Sequence, residues 1–313
     1  MGLREIARRP AALVADAVAR RVVDAMAHGP DRWSPPNKIA QLALMHAWRQ
    51  HPPQLSEVGF RVFSQFEEDG LLLCIFALIG MGKRRFVDIG SSDGINSNCA
   101  NLAINHGWHG LFLDADDDAV ERGRKFYAEH PDTWAWPPRF VSSKLNRENV
   151  NELIGGAGFT GEVDLLSIDI DGNDYWVWHA LEVIRPRVVI VETHVEFGTH
   201  NIVFPYDPTY EYPGEHPDYH GASPVAMARM ASQLGYRLVG SNTLGFNTIY
   251  IRGDEREDVL PEVRPETVLA HPRNAERLKL FDNIRHLPYV EGGSGFPGRP
   301  VRVQPLGPHD QGP

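Results

Sequence analysis

The sequence predicts an α/β fold, a Rossmann-like and mostly parallel sheet with a helical cap at the N-terminus. Three observations predict it. The short apolar runs RRFVDIG, HGLFLDAD, RFVSSKL, VDLLSIDI and RVVIVETH follow one another, most of them separated by helical stretches. These runs are apolar nearly throughout, as a parallel strand buried on both faces must be. Acids stand at or near the C-terminal ends of four of them, Asp88, Asp114, Asp169 and Glu192, where open α/β sheets bind ligands.

The elements follow in order. Residues 1 to about 60 lack strand patterning. Apolar residues recur at helical spacing through Ala11–Met26 and Ile39–Trp48, on either side of the turn-rich GPDRWSPPN. Charges interrupt the first stretch too often for a secretory core, and Ile6 stands where a myristoylation signal needs Ser or Thr. SQFEEDGLLLCIFALIGMG suits a buried helix that stops near Gly80–Gly82. After the five strands comes a Tyr-, Pro- and His-rich stretch, long enough for a lid or binding loop. Then SPVAMARMASQLG reads as a helix, and YRLVGSN with NTIYIRG as an antiparallel hairpin. From about Asp254 the chain is polar and Pro-rich, and its end reads as disordered or draped over the surface.

The 313 residues are 42% hydrophobic and 23% charged, with no apolar run long enough to span a membrane. A net charge of −10 disfavours nucleic acid as a partner. The two cysteines, Cys74 and Cys99, form no CxxC pair and read as reduced, so a cytoplasmic location is expected.

VDIGSSDG carries the most chemistry. A strand delivers Asp88, and Gly90 lets the backbone turn tightly against a ligand. The spacing is not GxGxxG, and carboxylates inside the loop would repel a pyrophosphate. They would welcome the ammonium and sulfonium groups of an adenosine–amino-acid ligand. Asp114, ending the second strand, is placed to accept hydrogen bonds from ribose hydroxyls. The competing reading is a plain turn with solvated acids.

FVDIGSSDGINSNCANLAINHGWHGLFLDAD, preceded by SQFEEDG and followed by DLLSIDIDGNDYWVW and RPRVVIVETH, resembles the FkbM-type family of class I methyltransferases over about Ser64–Arg252. The resemblance is closest to the branch found among glycan and natural-product biosynthesis genes. It implies a seven-strand sheet with S-adenosylmethionine bound over the first two strands. Asp88, Gly90 and Asp93 would line the methionine end, Asp114 would hold the ribose, and Ser142 and Ser143 would lie near the adenine. Ser91, Asn98 and Ala115 complete the expected cofactor contacts. The chain has Asp114-Ala115 where the family often has Glu-Pro, and Asp171 where Glu is frequent; both changes keep an acid. The implied organisation is a helical extension over 1–60, a methyltransferase domain over 61–254 with a substrate loop at 196–221, and a partly irregular extension over 255–313.

On the reaction side, IDIDGND puts Asp169, Asp171 and Asp174 together, and VETH adds Glu192 and His194. Neighbouring parallel strands lie about 4.8 Å apart, so these ends can converge. Asp169, Asp171 and Glu192 then make an oxygen-rich site suited to Mg²⁺ or another divalent cation. His194 is the candidate general base, with Asp169 as the second catalytic group. Against this stands a reading of Asp171 and Asp174 as helix caps, which the position favours for Asp174. Trp176 and Trp178 cannot share a helix face, so at least one packs in the core. His200, His216 and His220 have no zinc-like spacing and read as loop residues. Tyr206, Tyr210, Tyr212 and Tyr219 can stack on an acceptor or pack in the loop. The expected partner is a small-molecule or glycan acceptor, and a homo-oligomer is compatible with the sequence. A nicotinamide oxidoreductase, a non-catalytic relative and a metal hydrolase are the competing functions; the first lacks GxGxxG and the last leaves VDIGSSDG without a role.

Overall fold

The computed structural model describes residues 35–303; the helical reading of Ala11–Met26 lies outside them. By contacts the chain divides after Ala43 into two units. Helix α1 (Pro35–Gln50) opens on two prolines, which suit a first turn whose N–H groups have no partner anyway. From residue 44 on, its Met45 packs against Leu73 and Ala77, and Arg49 Nε donates to the Ala77 carbonyl at 3.1 Å. Those two residues belong to α2 (Glu68–Ile79), which is buried over most of its length and ends at Gly80.

Five strands then alternate with helices. They are β1 (Arg85–Ile89), β2 (His109–Asp114), β3 (Arg139–Ser142), β4 (Gly161–Ile168) and β5 (Ile184–Glu192). The helices between them are α3 (Ala100–His106), α4 (Asp117–Glu129), α5 (Val150–Gly156) and α6 (Asp174–Ala180). After the short strand β6 (Ile202–Val203) and α7 (Pro224–Gln233), β7 (Tyr236–Ser241) and β8 (Asn247–Arg252) form the expected hairpin. The main sheet has seven strands in the order β3-β2-β1-β4-β5-β8-β7. The first five are parallel, and β8 runs antiparallel to both neighbours. This is the Rossmann-like, seven-strand and mostly parallel α/β sheet that the sequence predicts.

Capping marks the helix starts. Asp116 accepts from the backbone N–H groups of Asp118 and Ala119, and Ser223 accepts from Ala226 with Pro224 next in line. The core lies between the sheet and the helices: Val87, Leu113, Leu166 and Val189 pack with Trp176, Trp178 and Met227. Both tryptophans are buried, and Trp176 Nε1 donates to the Phe204 carbonyl at 2.8 Å. At the other end of the strands Arg187 is nearly buried between Asp164, at 3.1 Å, and Glu255, at 2.7 Å. It also donates to the carbonyls of Ile79 and Gly80.

From Asp254 to residue 303 the chain is more ordered than its composition suggests, and the rest of its C-terminal end lies outside the described residues. The described part holds α8 (Asn274–Ile284), β9 (Tyr289–Glu291) and β10 (Pro300–Val301). These two strands join β6 in a three-stranded sheet, so the long loop after β5 is partly strand. The physical reason is a second core, in which Phe197 and Ile202 pack with Phe281, Ile284 and Tyr289. Cys74 and Cys99 are free and buried. Among the described residues no helix is long and apolar enough to cross a membrane.

Candidate functional site

The loop after β1 is shaped by one close approach. Gly90 has φ +79°, and a Cβ there would overlap the backbone carbonyl of Asp169. Only glycine meets both demands. The N–H groups of Gly90 and Ser91 both donate to the Leu113 carbonyl, at 2.9 and 3.1 Å, which pins the loop over β2. Asp169 N donates to the Ile89 carbonyl at 2.9 Å, extending the β1–β4 pairing into the site.

Two cavities meet at that crossing. The smaller, about 50 Å³, is lined by Asp88, Ser91, Asn98 and Ser167. The larger, about 410 Å³, is lined by Asp114, Ala115, Ser143, Asp171, Tyr210 and Tyr212. Gly90 and Asp169 line both. Ser167 is absent from the sequence-based set; it stands two positions before Asp169, on the same side of the strand, and pairs with Asp88 in register. The ring of Tyr210 lies where a Cβ on Gly172 would sit.

Two expected cofactor residues line neither cavity. Asp93 turns its carboxylate onto its own loop, accepting from Ile95 N at 3.0 Å. Ser142 bonds Asp117 through its hydroxyl. Of the remaining expected residues, Asp114 and Asp88 are held by hydrogen bonds. Asp114 accepts from Ser92 N at 2.6 Å with one oxygen and from Asp116 N at 2.9 Å with the other. Asp88 is buried and accepts from the Ser97 hydroxyl. Burial pushes its carboxyl up to about 6 against the hydrogen bonds from Ser97 and Ser167.

The acids of β4 and β5 converge. One carboxylate oxygen from each of Asp169, Asp171 and Glu192 lies within 4.8 Å of the others. Burial first, then the charges of Asp174 and Asp171, hold Asp169 well above the ordinary carboxylate range. Glu192 is raised in the same way, with Asp169 the leading charge. Neither Asp171 nor Asp174 caps α6. Asn173 occupies the N-cap without a side-chain bond, and Asp174 instead accepts from the preceding loop, from Ile170 N and Gly172 N at 2.8 and 2.9 Å. Asp171 takes φ +50° and faces the larger cavity.

His194 is buried behind this cluster and lines neither cavity. Its Nε2 lies 3.9 Å from Glu192 and its Nδ1 3.6 Å from Glu196. Glu196 is anchored by Arg277 Nε at 3.1 Å. His220 closes on the same spot, its ring centroid 3.9 Å from that of His194. Gly221 permits this, because a Cβ there would strike the His194 ring. His200 and His216 do not join the group: His200 packs on Phe281.

No family model and no curated protein matches the chain. Solved structures similar to it include an O-methyltransferase family protein from Burkholderia thailandensis, at 13% identity and TM-score 0.36 over 70% of this chain. The chain spans 62% of the length of that protein. An O-methyltransferase from Bacillus cereus, solved with S-adenosylhomocysteine, matches at 16% identity and TM-score 0.38, over 75% of this chain and 96% of its own. Magnesium protoporphyrin IX methyltransferase from Synechocystis, solved with S-adenosylmethionine, matches at 12% identity and TM-score 0.34, over 53% of this chain and 69% of its own.

Proposed function

We propose that this chain transfers a methyl group from S-adenosylmethionine to a hydroxyl oxygen of a sugar or glycosylated small molecule, as an FkbM-type enzyme. The observation that carries this reading is the pair of cavities meeting at Gly90 and Asp169. Asp88 in the small polar cavity suits an ammonium group. Asp114 at the larger cavity suits ribose hydroxyls, and Ala115 and Ser143 beside it suit an adenine. A pyrophosphate in the same place would face these carboxylates, which argues against a nicotinamide cofactor.

In the reaction, the acceptor oxygen attacks the methyl carbon. The O–C bond forms as the C–S bond breaks, the sulfonium becomes a neutral thioether, and the hydroxyl proton leaves to a base. Asp169 is the better placed of the two expected bases, because it lines both cavities and His194 lines neither. Burial and its like-charged neighbours suit Asp169 to holding that proton. Tyr210 and Tyr212 offer aromatic faces for a sugar at the outer wall.

Asp169, Asp171 and Glu192 also fit a hard cation. They are oxygen donors within 4.8 Å of one another, and Glu192 Oε2 is buried with no hydrogen-bond partner. Such an ion would supply Lewis acidity toward the acceptor hydroxyl.

S-adenosylhomocysteine at 100 times its Kd is expected to stabilise the protein by about 2.7 kcal/mol in thermal unfolding. NAD is expected to give no shift, and a shift with NAD alone would overturn the reading. Asp114→Ala is expected to weaken S-adenosylhomocysteine binding by about 1–3 kcal/mol, the cost of losing hydrogen bonds to a charged group. Titration calorimetry on the folded variant checks it, and unchanged affinity removes Asp114 from the ribose.

A further inference from the structure

Behind the acidic cluster lies a second group of donors with different chemistry. Glu192, His194 and His220 each bring one donor atom within 4.8 Å of the other two. His194 and His220 are both more than nine-tenths buried. Glu192 Oε2, His194 Nε2 and His220 Nδ1 are all buried without a hydrogen-bond partner. Three orphaned donors in one place are costly, because each has lost water and gained nothing.

We propose that Glu192, His194 and His220 bind a divalent transition-metal ion of the Zn²⁺ or Fe²⁺ class. Two imidazoles and a carboxylate are a donor set for such ions, whereas Mg²⁺ takes oxygen. Bonds of about 2.0–2.1 Å to each donor need the 3.9 Å between His194 Nε2 and Glu192 to close only slightly. The surroundings prepare both rings. Glu196 faces His194 Nδ1 at 3.6 Å and is itself held by Arg277, an arrangement that puts the proton on Nδ1 and the lone pair on Nε2. The Pro217 carbonyl bonds the His220 ring, which leaves Nδ1 as its free donor. His194 is fixed by its N–H bond to the Ala222 carbonyl at 2.8 Å, which brings the His220 segment to it.

The inference does not rest on methyl transfer, and its test reads the metal directly. Chelator-stripped protein is titrated with Co²⁺, followed by its visible ligand-field band, and then with Zn²⁺ in competition. One Co²⁺ per chain is expected, displaced by Zn²⁺ and not by excess Mg²⁺. His194→Ala and the polar, milder His220→Asn are each expected to weaken Co²⁺ binding at least about 100-fold, beyond the 10–100-fold typical of outer-shell changes. Glu196→Gln, a positioning change, is expected to fall within that 10–100-fold range. Circular dichroism and metal-free melting show that the variants are folded. Absence of stoichiometric Co²⁺ and Zn²⁺ binding overturns the proposal. So does binding unchanged in folded His194→Ala and His220→Asn, or displacement by equimolar Mg²⁺, which assigns the ion to Asp169 and Asp171. S-adenosylhomocysteine binding measured on the same samples keeps this outcome separate from the methyltransferase reading.

Discussion

Asp169→Asn is expected to lower methyl transfer by about 10²–10⁴-fold, the usual contribution of a positioned base. Removal of the proton needs the ionised carboxylate. Burial and the charges of Asp174 and Asp171 raise its pKa well above the ordinary range. The wild-type rate should therefore climb with pH through that raised pKa, at a higher pH than a solvated aspartate would show. The climb should vanish in the variant. Stability should move the other way. A carboxyl whose pKa is raised on folding binds more protons folded than unfolded, so its ionisation costs stability as pH rises between the two values. The neutral amide escapes that cost, so Asp169→Asn should be at least as stable as wild type at pH 7. Rate profiles and denaturant melts on the same preparation check both halves. Full turnover in the variant would remove Asp169 from the chemistry.

Arg187→Ala is expected to cost about 3–5 kcal/mol, as breaking a buried ion pair from one side does. The Asp164 side chain is 1% exposed and Glu255 is 13% exposed, so truncation leaves both acids with little water to replace the guanidinium. The carbonyls of Ile79 and Gly80 lose their donor as well. The network lies at the strand ends away from the cavities, so S-adenosylhomocysteine affinity should be unchanged in protein that remains folded. Denaturant unfolding measures the loss, and a value under about 1 kcal/mol would show that water reaches the acids after all.

The strands were legible because buried parallel strands write themselves as apolar runs, and the acids at their ends follow from where those runs stop. The same reasoning brought Asp169, Asp171 and Glu192 to one place. It did not find His220, which reaches His194 through a returning loop bonded at Ala222 and bridged to Val203. No local spacing records such a return. Asp93 and Ser142, which the family resemblance implied as cofactor contacts, line neither cavity, because both spend their polar atoms on their own surroundings. Helix α8 was hidden by its charges, yet Leu278, Phe281 and Ile284 stand three apart, and that period was its readable signal.

The contact between Gly90 and Asp169 has a thermodynamic consequence. Both residues belong to the walls of two cavities at once, and the absence of a Cβ lets the walls touch. A ligand that orders this crossing from one side spares the ligand on the other side that entropic cost. The two halves of one ligand laid across both cavities would then bind with positive cooperativity, and linkage makes the factor reciprocal: whatever one half adds to the affinity of the other, the other returns. A larger residue at position 90 would weaken that coupling by parting the walls, even where each cavity kept its own contacts.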